Sequence, residues 1–294
     1  MVTKKSQSAS TSRKIYVVVG IILLSLLGGF IGAKFAPGGS GTSAASSTSA
    51  SGPTWINEIK QRGELRVGCA DAPPTVVVQS DGTCTGPDLL PLQKVAEALG
   101  VKFVTVATTW QNIIAGLQAN QYDIVADLDQ TVERTLSIQY TKPSWSYPGV
   151  FLVKRDSGIT TVDQILKSDT PAAVSQGTAT DRALSPLLKT APLRVDNFQN
   201  AASAVTAKRA TALFTDLGVA VENAKADSTW GIIVPTPRIL ENYVGYGVPQ
   251  HADAQSLQVL NVAIDQAVVS GEIERKFAEV GYLDVDNLGD LQIR

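Results

Sequence analysis

The most informative hydrophobic pattern lies at residues 122–134, where an apolar run leads into charged side chains. Residues 124–126 are apolar at successive rather than alternate positions, which is typical of a central parallel strand covered on both faces. Ligands of open α/β sheets bind beyond the carboxyl ends of such strands. Asp127, Asp129 and Arg134 are therefore candidate ligand-binding residues, although a surface turn with solvated charges would show the same pattern.

Strand-like and helix-like patterns alternate before this run. Residues 65–69 and 101–106 are rich in β-branched residues and predict strands. Between them, residues 88–99 carry apolar side chains at helical spacing, and Gly100 is a typical C-terminal cap. A second helix, capped by Thr109, is predicted to bury Ile113, Ile114 and Leu117. The resulting β-α-β-α-β order predicts a parallel sheet with right-handed crossovers.

A second set of elements follows in the second half of the chain. Residues 151–153, 172–174 and 212–214 predict strands, and a helix is expected from about Asp181. The strand at 212–214 leads to Asp216, so an acidic side chain again lies at the carboxyl end of a strand. A returning strand is predicted at 246–248, and helical patterns continue towards the C-terminus. The simplest architecture is two α/β lobes with a crevice between them.

The amino-terminal segments have the composition of a targeting element and a tether. Residues 1–14 are basic, and residues 15–36 are mostly apolar and long enough to span a bilayer as a helix. Positive charge on the amino side predicts that the rest of the chain is exported. We expect a signal anchor that leaves the binding domain in the periplasm or at the cell surface; a cleaved signal peptide and a secreted protein are the alternative. Residues 37–53 are rich in Gly, Ser, Ala and Thr and predict a flexible linker.

Composition gives no support for nucleic-acid or metal binding and leaves open whether the two cysteines form a disulfide. The 294 residues are 44% hydrophobic and can bury a core, while scattered basic residues and a formal charge of −2 give no reason to expect nucleic-acid binding. Cys69 and Cys84 are candidates for a disulfide in an exported chain, two buried free thiols being the alternative. Two cysteines and the single His251 supply too few ligands for a metal site, so none is predicted.

From about residue 55 to residue 283 the chain resembles the family 3 extracellular solute-binding proteins, the amino-acid receptors of ABC importers. No single motif carries the resemblance, which depends on the order and spacing of short landmarks. These landmarks are Glu64-Leu65-Arg66-Val67-Gly68, Asp81-Gly82, Gly86-x-Asp88, Thr109-Trp110, Leu117-Gln118-Ala119, Tyr122-Asp123, Thr131-x-Glu133-Arg134, Val153-Lys154-Arg155-Asp156, Gln176-Gly177-Thr178, Asp216 and Tyr246-Gly247-Val248.

The resemblance implies a role for each candidate residue. Arg134 occupies the position of the family arginine that binds the α-carboxylate of the ligand. The two N–H groups of a guanidinium suit bidentate binding of a carboxylate. Asp216 matches the acid that takes the α-ammonium group. Gly177 and Thr178 form the turn that offers a hydroxyl and backbone N–H groups to the same carboxylate. Trp110 matches an aromatic residue that packs on the ligand side chain, although a lone tryptophan can equally serve the core.

The resemblance also implies a fold and partners. It predicts a two-lobe periplasmic-binding-protein-like (type II) fold with a hinge and an interlobe cleft. Lobe 1 would comprise residues 54–153 plus 246–294 and lobe 2 residues 154–245, with the bends near Val153-Lys154 and Tyr246-Gly247. The implied ligand is a polar or charged amino acid, and the implied partners are ABC transporter permease subunits. A monomer is expected, with no cofactor.

Two features depart from the family pattern or leave alternatives open. Asp127 and Asp129 stand where many members have small or hydroxyl residues, so they favour a ligand with added positive charge or else pair with Arg134. Some proteins on this scaffold are enzymes of the cyclohexadienyl dehydratase type, but no serine elbow, His-Glu-x-x-His or phosphate-binding loop is found. We therefore predict a binding protein without catalytic residues, with such an enzyme or a membrane-tethered amino-acid sensor as the alternatives.

Overall fold

A computed structural model describes residues 54–293. The helices α1 to α10 comprise Trp55–Arg62, Leu90–Leu99, Ile113–Gln118, Val132–Thr135, Val162–Leu166, Ala179–Leu184, Phe198–Thr206, Leu217–Ala226, Ala254–Val269 and Glu272–Glu279. The strands β1 to β12 comprise Glu64–Cys69, Val77–Val78, Cys84–Thr85, Lys102–Ala107, Ile124–Asp129, Gln139–Tyr140, Trp145–Lys154, Ala173–Ser175, Leu193–Val195, Leu213–Asp216, Trp230–Ile233 and Glu241–Val248.

The first lobe is built on a sheet in which β1 lies between β4 and β5 and runs parallel to both. The predicted β-α-β-α-β order is confirmed, with α2 and α3 as the connecting helices. Gly100 ends α2 with a left-handed φ of 68°, which lets its N–H reach carbonyls of the last turn. The expected cap of α3 is wrong: the helix begins at Ile113, because Thr109 and Asn112 form a separate turn before it.

Strand β5 is the central strand that its apolar run predicts. All six of its residues are buried, and it pairs with β1 on one side and with the antiparallel β12 on the other. Its amino end is held by Asp123, which forms ion pairs with Arg62 and Arg66. Tyr122 packs across the neighbouring β1, where a Cβ at Gly68 would lie 2.5 Å from its ring. These contacts place the acidic carboxyl-terminal half of β5 at the edge of the lobe.

The second lobe has a mixed sheet. The later part of β7 pairs antiparallel with β10 and β11, while β8 lies parallel to both β10 and β9. The apolar faces of α7 and α8 cover this sheet with valine, alanine and leucine side chains. As predicted, β10 ends at Asp216, on the edge that faces the first lobe.

Strands β7 and β12 connect the two lobes. Residues 145–148 of β7 pair with residues 241–244 of β12, and from Gly149 onwards β7 pairs with β10 and β11 of the second lobe. The segment after α10 also lies on the second lobe, where the N–H of Ile293 donates to the carbonyl of Ile232 at 2.8 Å. The predicted lobe boundaries and the predicted hinge bends stay predictions.

Residues 1–53 lie outside the described part of the chain, so the predicted basic segment, membrane span and linker fall outside it too. Within residues 54–293, no helix combines the length and the apolar character needed to cross a bilayer. The same residues hold no cluster of three or more His, Cys, Asp or Glu side chains arranged for a metal ion.

The expected disulfide is confirmed: Cys69 at the end of β1 is bonded to Cys84 in β3. Both cysteines are buried. The bond ties the small β2–β3 hairpin to the carboxyl end of β1 and closes a loop of sequence separation 15.

Replacing Cys69 and Cys84 together with alanine should lower the free energy of unfolding by roughly 3 kcal/mol, because the unfolded chain regains the entropy of the closed loop. Urea denaturation followed by tryptophan fluorescence would measure the change. The parent protein under reducing conditions is the control and should unfold at the same urea concentration as the variant. An unchanged midpoint in both cases would show that the bond does not contribute to stability.

Candidate functional site

A cavity lies between the two lobes. Its walls come from the carboxyl end of β5, the first part of β7, the amino end of α6 and the carboxyl end of β10. The lining residues are Ala72, Thr75, Trp110, Asp127, Asp129, Trp145, Tyr147, Thr178, Thr180, Phe198 and Asp216. Five of the seven predicted site residues therefore line one cavity, and the strand-end argument explains why they meet there.

Asp127 occupies a strained position supported by a buried acid. Its φ of 55° is left-handed, a conformation that non-glycine residues adopt at some energetic cost. The N–H of Asp127 donates to Asp88 Oδ2 at 3.0 Å, and its carboxylate accepts the hydroxyl of Thr75 at 2.9 Å. Asp88 Oδ1 in turn accepts the hydroxyl of Ser144 at 3.1 Å, and the carbonyl of Asp88 accepts the hydroxyl of Tyr246 at 2.7 Å. Asp88 thus fixes the backbone that aims Asp127 into the cavity.

Burial perturbs the titration of this acidic pair. Loss of water raises the pKa of Asp88 to about 7, against the opposing effect of the hydrogen bonds that it accepts. The pKa of Asp127 is also raised well above its ordinary value, first by burial and then by the charge of Asp88. A cation that enters the cavity would favour the ionised form of Asp127.

Asp129 is positioned by hydrogen bonds on both its side chain and its backbone. Its Oδ1 accepts the hydroxyl of Tyr147 at 2.7 Å. Its carbonyl accepts the hydroxyl of Tyr140 at 2.8 Å and Nη1 of Arg134 at 3.0 Å. Within residues 54–293, neither Asp129 nor Asp127 forms an ion pair with Arg134, and both residues line the cavity.

Arg134 lies beside the cavity and reaches the second lobe. It belongs to the short helix α4, which begins after Thr131, whose hydroxyl accepts the N–H of Arg134 at 3.2 Å. The side chain is buried, and its Nη2 donates to the carbonyl of Gly177 at 3.1 Å. A guanidinium from one lobe is therefore already bonded to the other lobe.

Gly177 and Thr178 form the turn of the second lobe that meets the first. Gly177 has a left-handed φ of 81°, and a Cβ there would lie 3.3 Å from the carbonyl of Trp110. The Thr178 hydroxyl donates to the Ser175 carbonyl at 2.7 Å and accepts the N–H of Asp181 at 3.2 Å, which makes Thr178 the N-cap of α6. It can donate to a ligand only by exchanging the bond to Ser175, so its predicted role stays a prediction.

Asp216 faces the acids of the first lobe from the end of β10. Its carboxylate caps α8 by accepting the N–H of Val219 at 2.8 Å. Burial, with a further contribution from the charge of Asp129, raises the pKa of Asp216 to about 6. Three carboxylates thus line the cavity, and no Lys, Arg or His side chain of residues 54–293 is in its lining.

Aromatic side chains complete the walls. The ring of Trp110 is oriented by its Nε1, which donates to the carbonyl of Asp71 at 3.1 Å, and it borders the cavity. Sequence reasoning missed Trp145 and Tyr147 of β7 and Phe198 of α7. The spacing of two between Trp145 and Tyr147 places them on one face of a strand and could have indicated the pair. Phe198 carries no such signal, because it enters from a helix distant in sequence.

The two lobes, the strands that connect them and the cavity between them define a periplasmic-binding-protein fold of type II. Residues 65–278 match the family described as bacterial extracellular solute-binding proteins, family 3. The match covers most of the chain, and the chain belongs to this family.

Individual relatives agree with this assignment. The crystal structure of AncCDT-1, described as an ancestral amino acid-binding protein and a precursor of cyclohexadienyl dehydratase, is 29% identical and has a TM-score of 0.70, covering 78% of this chain and 100% of that one. An arginine-bound mutant of ArgBP from T. maritima is 25% identical with a TM-score of 0.66, covering 72% and 99% of the two chains.

A curated relative from Sinorhizobium fredii is a probable amino-acid ABC transporter periplasmic-binding protein. It is 30% identical over 133 residues, which are 42% of this chain and 44% of that protein. The chain thus spans less than half the length of this relative.

Proposed function

We propose that the protein captures a cationic α-amino acid in the interlobe cavity by lobe closure and delivers it to an ABC importer. The observation that carries the proposal is the charge of the cavity, where Asp127, Asp129 and Asp216 converge and where the described part of the chain contributes no basic side chain to the lining. An amino acid brings one ammonium group, which one carboxylate can neutralise. The remaining two carboxylates favour a second positive charge on the ligand.

Each part of such a ligand has a partner of matching chemistry. Asp216 takes the α-ammonium group, and Arg134 takes the α-carboxylate in place of its present bond to a backbone carbonyl. Asp127 and Asp129 take the cationic end of the ligand side chain. The rings of Trp110 and Tyr147 cover its apolar stem and can add a cation–π contact. The arginine bound by the ArgBP relative supports this choice of ligand.

Anchoring and delivery are parts of the same proposal. Residues 15–36 hold the protein at the membrane, and residues 37–53 let the binding domain reach the permease subunits as a monomer. A membrane-tethered sensor would use the same cavity and anchor. Permease genes beside the gene for this protein would support transport, and their absence would favour sensing.

A dehydratase is the second candidate, because AncCDT-1 is described as a precursor of such an enzyme and because Asp216 can carry a proton near pH 6. The charge of the cavity opposes it. Prephenate carries two carboxylates, which three cavity carboxylates would repel. Turnover of prephenate or arogenate by the purified protein would establish the enzyme, and its absence together with amino-acid binding would establish the receptor.

A thermal-shift screen of the twenty amino acids should show the largest rise in the melting temperature of the protein with arginine and lysine, since a ligand that binds only the folded state stabilises it.

Asp129→Asn should then weaken arginine binding by about 10- to 100-fold and glutamine binding by about threefold or less, because in the proposed binding mode Asp129 pairs with the cationic side chain. Asparagine retains an oxygen that can accept the Tyr147 hydroxyl. Isothermal titration calorimetry of the full chain measures both affinities.

The matched control is Asp265→Asn. Asp265 is an exposed residue of α9 whose carboxylate pairs with Lys142, and its replacement should change neither affinity. Equal losses for arginine and glutamine would mean that Asp129 only positions its neighbours. No stabilisation by any amino acid would refute the proposed function.

A further inference from the structure

The carbonyl oxygen of Gly177 is the meeting point of two guanidinium groups. It accepts Nη2 of Arg134 at 3.1 Å and Nη1 of Arg182 at 3.3 Å. Arg134 belongs to the first lobe, and Arg182 belongs to α6 of the second. A single neutral oxygen is a weak partner for two positive charges, so this arrangement leaves the pair poorly compensated.

The other contacts of Arg182 do not complete its hydrogen bonding. Its Nη2 is buried and has no hydrogen-bond partner among residues 54–293. Its Nε forms an ion pair at 3.4 Å with Glu133, a side chain that is 72% exposed. Burial and the charge of Arg134 both lower the pKa of Arg182. A buried N–H group without a partner is costly, and an anion is the partner that suits two converging guanidinium groups.

Arg182 lies one helical turn beyond a residue that lines the cavity. The N–H of Arg182 donates to the carbonyl of Thr178, one turn earlier, so the two side chains lie on the same face of α6. Thr178 lines the cavity. The oxygen of Gly177 marks a position that donors from both lobes can reach, next to this wall.

We propose that Arg182 is a second guanidinium for the α-carboxylate of the ligand, contributed by the second lobe opposite Arg134. This assignment deepens the proposed function and rests on it. The carboxylate replaces the Gly177 carbonyl as the shared acceptor and gives the unpaired Nη2 of Arg182 a charged partner. It also neutralises two like charges that come together only when the lobes close, so carboxylate binding and closure are coupled.

A different role for Arg182 would be a latch. In that case its ion pair with Glu133 would hold the lobes together whatever the ligand. The two roles differ in one measurable property. A carboxylate-binding group matters only for ligands that carry a carboxylate, whereas a latch affects every ligand that the closed state encloses.

The test is calorimetry of the full chain with arginine and with agmatine, which is arginine without its carboxylate. Arg182→Gln should weaken arginine binding by about tenfold or more and agmatine binding by about threefold or less. Arg182→Lys, which keeps the charge but not the planar fork, should fall between the parent and Arg182→Gln for arginine. Glu133→Gln should leave both affinities within about threefold, because its carboxylate is mostly exposed.

Arg209→Gln is the matched control, since Arg209 is an exposed arginine of the second lobe on the turn before β10, and it should change neither affinity. Equal losses for arginine and agmatine in Arg182→Gln, or a loss in Glu133→Gln as large as in Arg182→Gln, would overturn the assignment in favour of the latch. If the parent binds arginine and agmatine with equal affinity, the ligand carboxylate contributes nothing to binding. The assignment of Arg182 then fails, while the proposed binding of a cationic ligand stands. Failure of the parent to bind either compound would overturn the proposed function together with this assignment.

Discussion

Arg134→Ala should weaken the binding of an α-amino acid by about 30-fold to several thousand-fold, which corresponds to roughly 2–5 kcal/mol for one side of a desolvated charge pair. The reason is that the ligand carboxylate loses the guanidinium that the first lobe supplies. The fold should persist, because both carbonyls that Arg134 contacts keep a second donor. Tyr140 still donates to the Asp129 carbonyl, and Arg182 still donates to the Gly177 carbonyl.

Calorimetry and thermal unfolding of the same preparations would separate lost binding from lost stability. Arg66→Ala is the control, because Arg66 pairs with Asp123 at the opposite end of the sheet and can change stability but not the cavity. Arg66→Ala should retain the affinity of the parent even where its melting temperature falls. An unchanged affinity in Arg134→Ala would remove Arg134 from the site.

Asp216→Asn should reduce affinity by a similar 2–5 kcal/mol, since the ammonium group of the ligand loses its charged partner in a buried place. Asparagine is preferred to alanine because it can still cap α8 by accepting the N–H of Val219. A fall in affinity can then be attributed to the missing charge. Small-angle scattering with saturating ligand should show compaction of the parent and less compaction of the variant, because the second lobe has lost a contact.

The pH dependence of Asp216→Asn provides an independent check. The pKa of Asp216 is raised to about 6, above its ordinary 3.8, so its contribution to folding is full below pH 3.8 and is lost as the pH rises through 6. The ligand-free variant should therefore be more stable than the parent at pH 8, by up to roughly 3 kcal/mol, and lose this advantage near pH 4.

Ligand affinity should change with pH in the opposite direction. The cationic ligand binds the ionised carboxylate, so affinity in the parent should rise between pH 5 and pH 8 and rise less steeply in the variant. The remaining slope in the variant reports Asp127 and Asp88, whose pKa values are also raised by burial. Identical slopes in parent and variant, or equal compaction of both with ligand, would count against Asp216 as the ammonium partner.

Local sequence patterns predicted most of the scaffold. The apolar run at residues 124–126 indicated a buried central strand, and β5 is buried along its whole length. Gly100 ends its helix as expected. The start of α3 was misplaced, because a threonine can cap a helix or close a turn, and only the contacts around Thr109 choose between these outcomes. The ends of helices and strands depend on such contacts, whereas a buried central strand is indicated by its run of successive apolar residues.

In the candidate site, the sequence predicted several residues that line the cavity but not the residue that supports them. Asp127, Asp129 and Asp216 were found because each lies at the carboxyl end of an apolar run, and Trp110 because of its place among the family landmarks. The support beneath them was missed. Asp88 served only as a family landmark, although it holds the backbone of Asp127, and no pattern connects the two residues.

The sequence by itself determined the alternation of strands and helices, the acids at the strand ends and the pair of cysteines, because these follow from side chains close together along the chain. Only the tertiary structure decided which polar groups meet across the cleft. The Tyr246 hydroxyl donates to the carbonyl of Asp88 across 158 positions, and Arg134 reaches Gly177 across 43. Such contacts depend on how two sheets share the strands β7 and β12, a geometry that brings distant residues together and that no local pattern encodes.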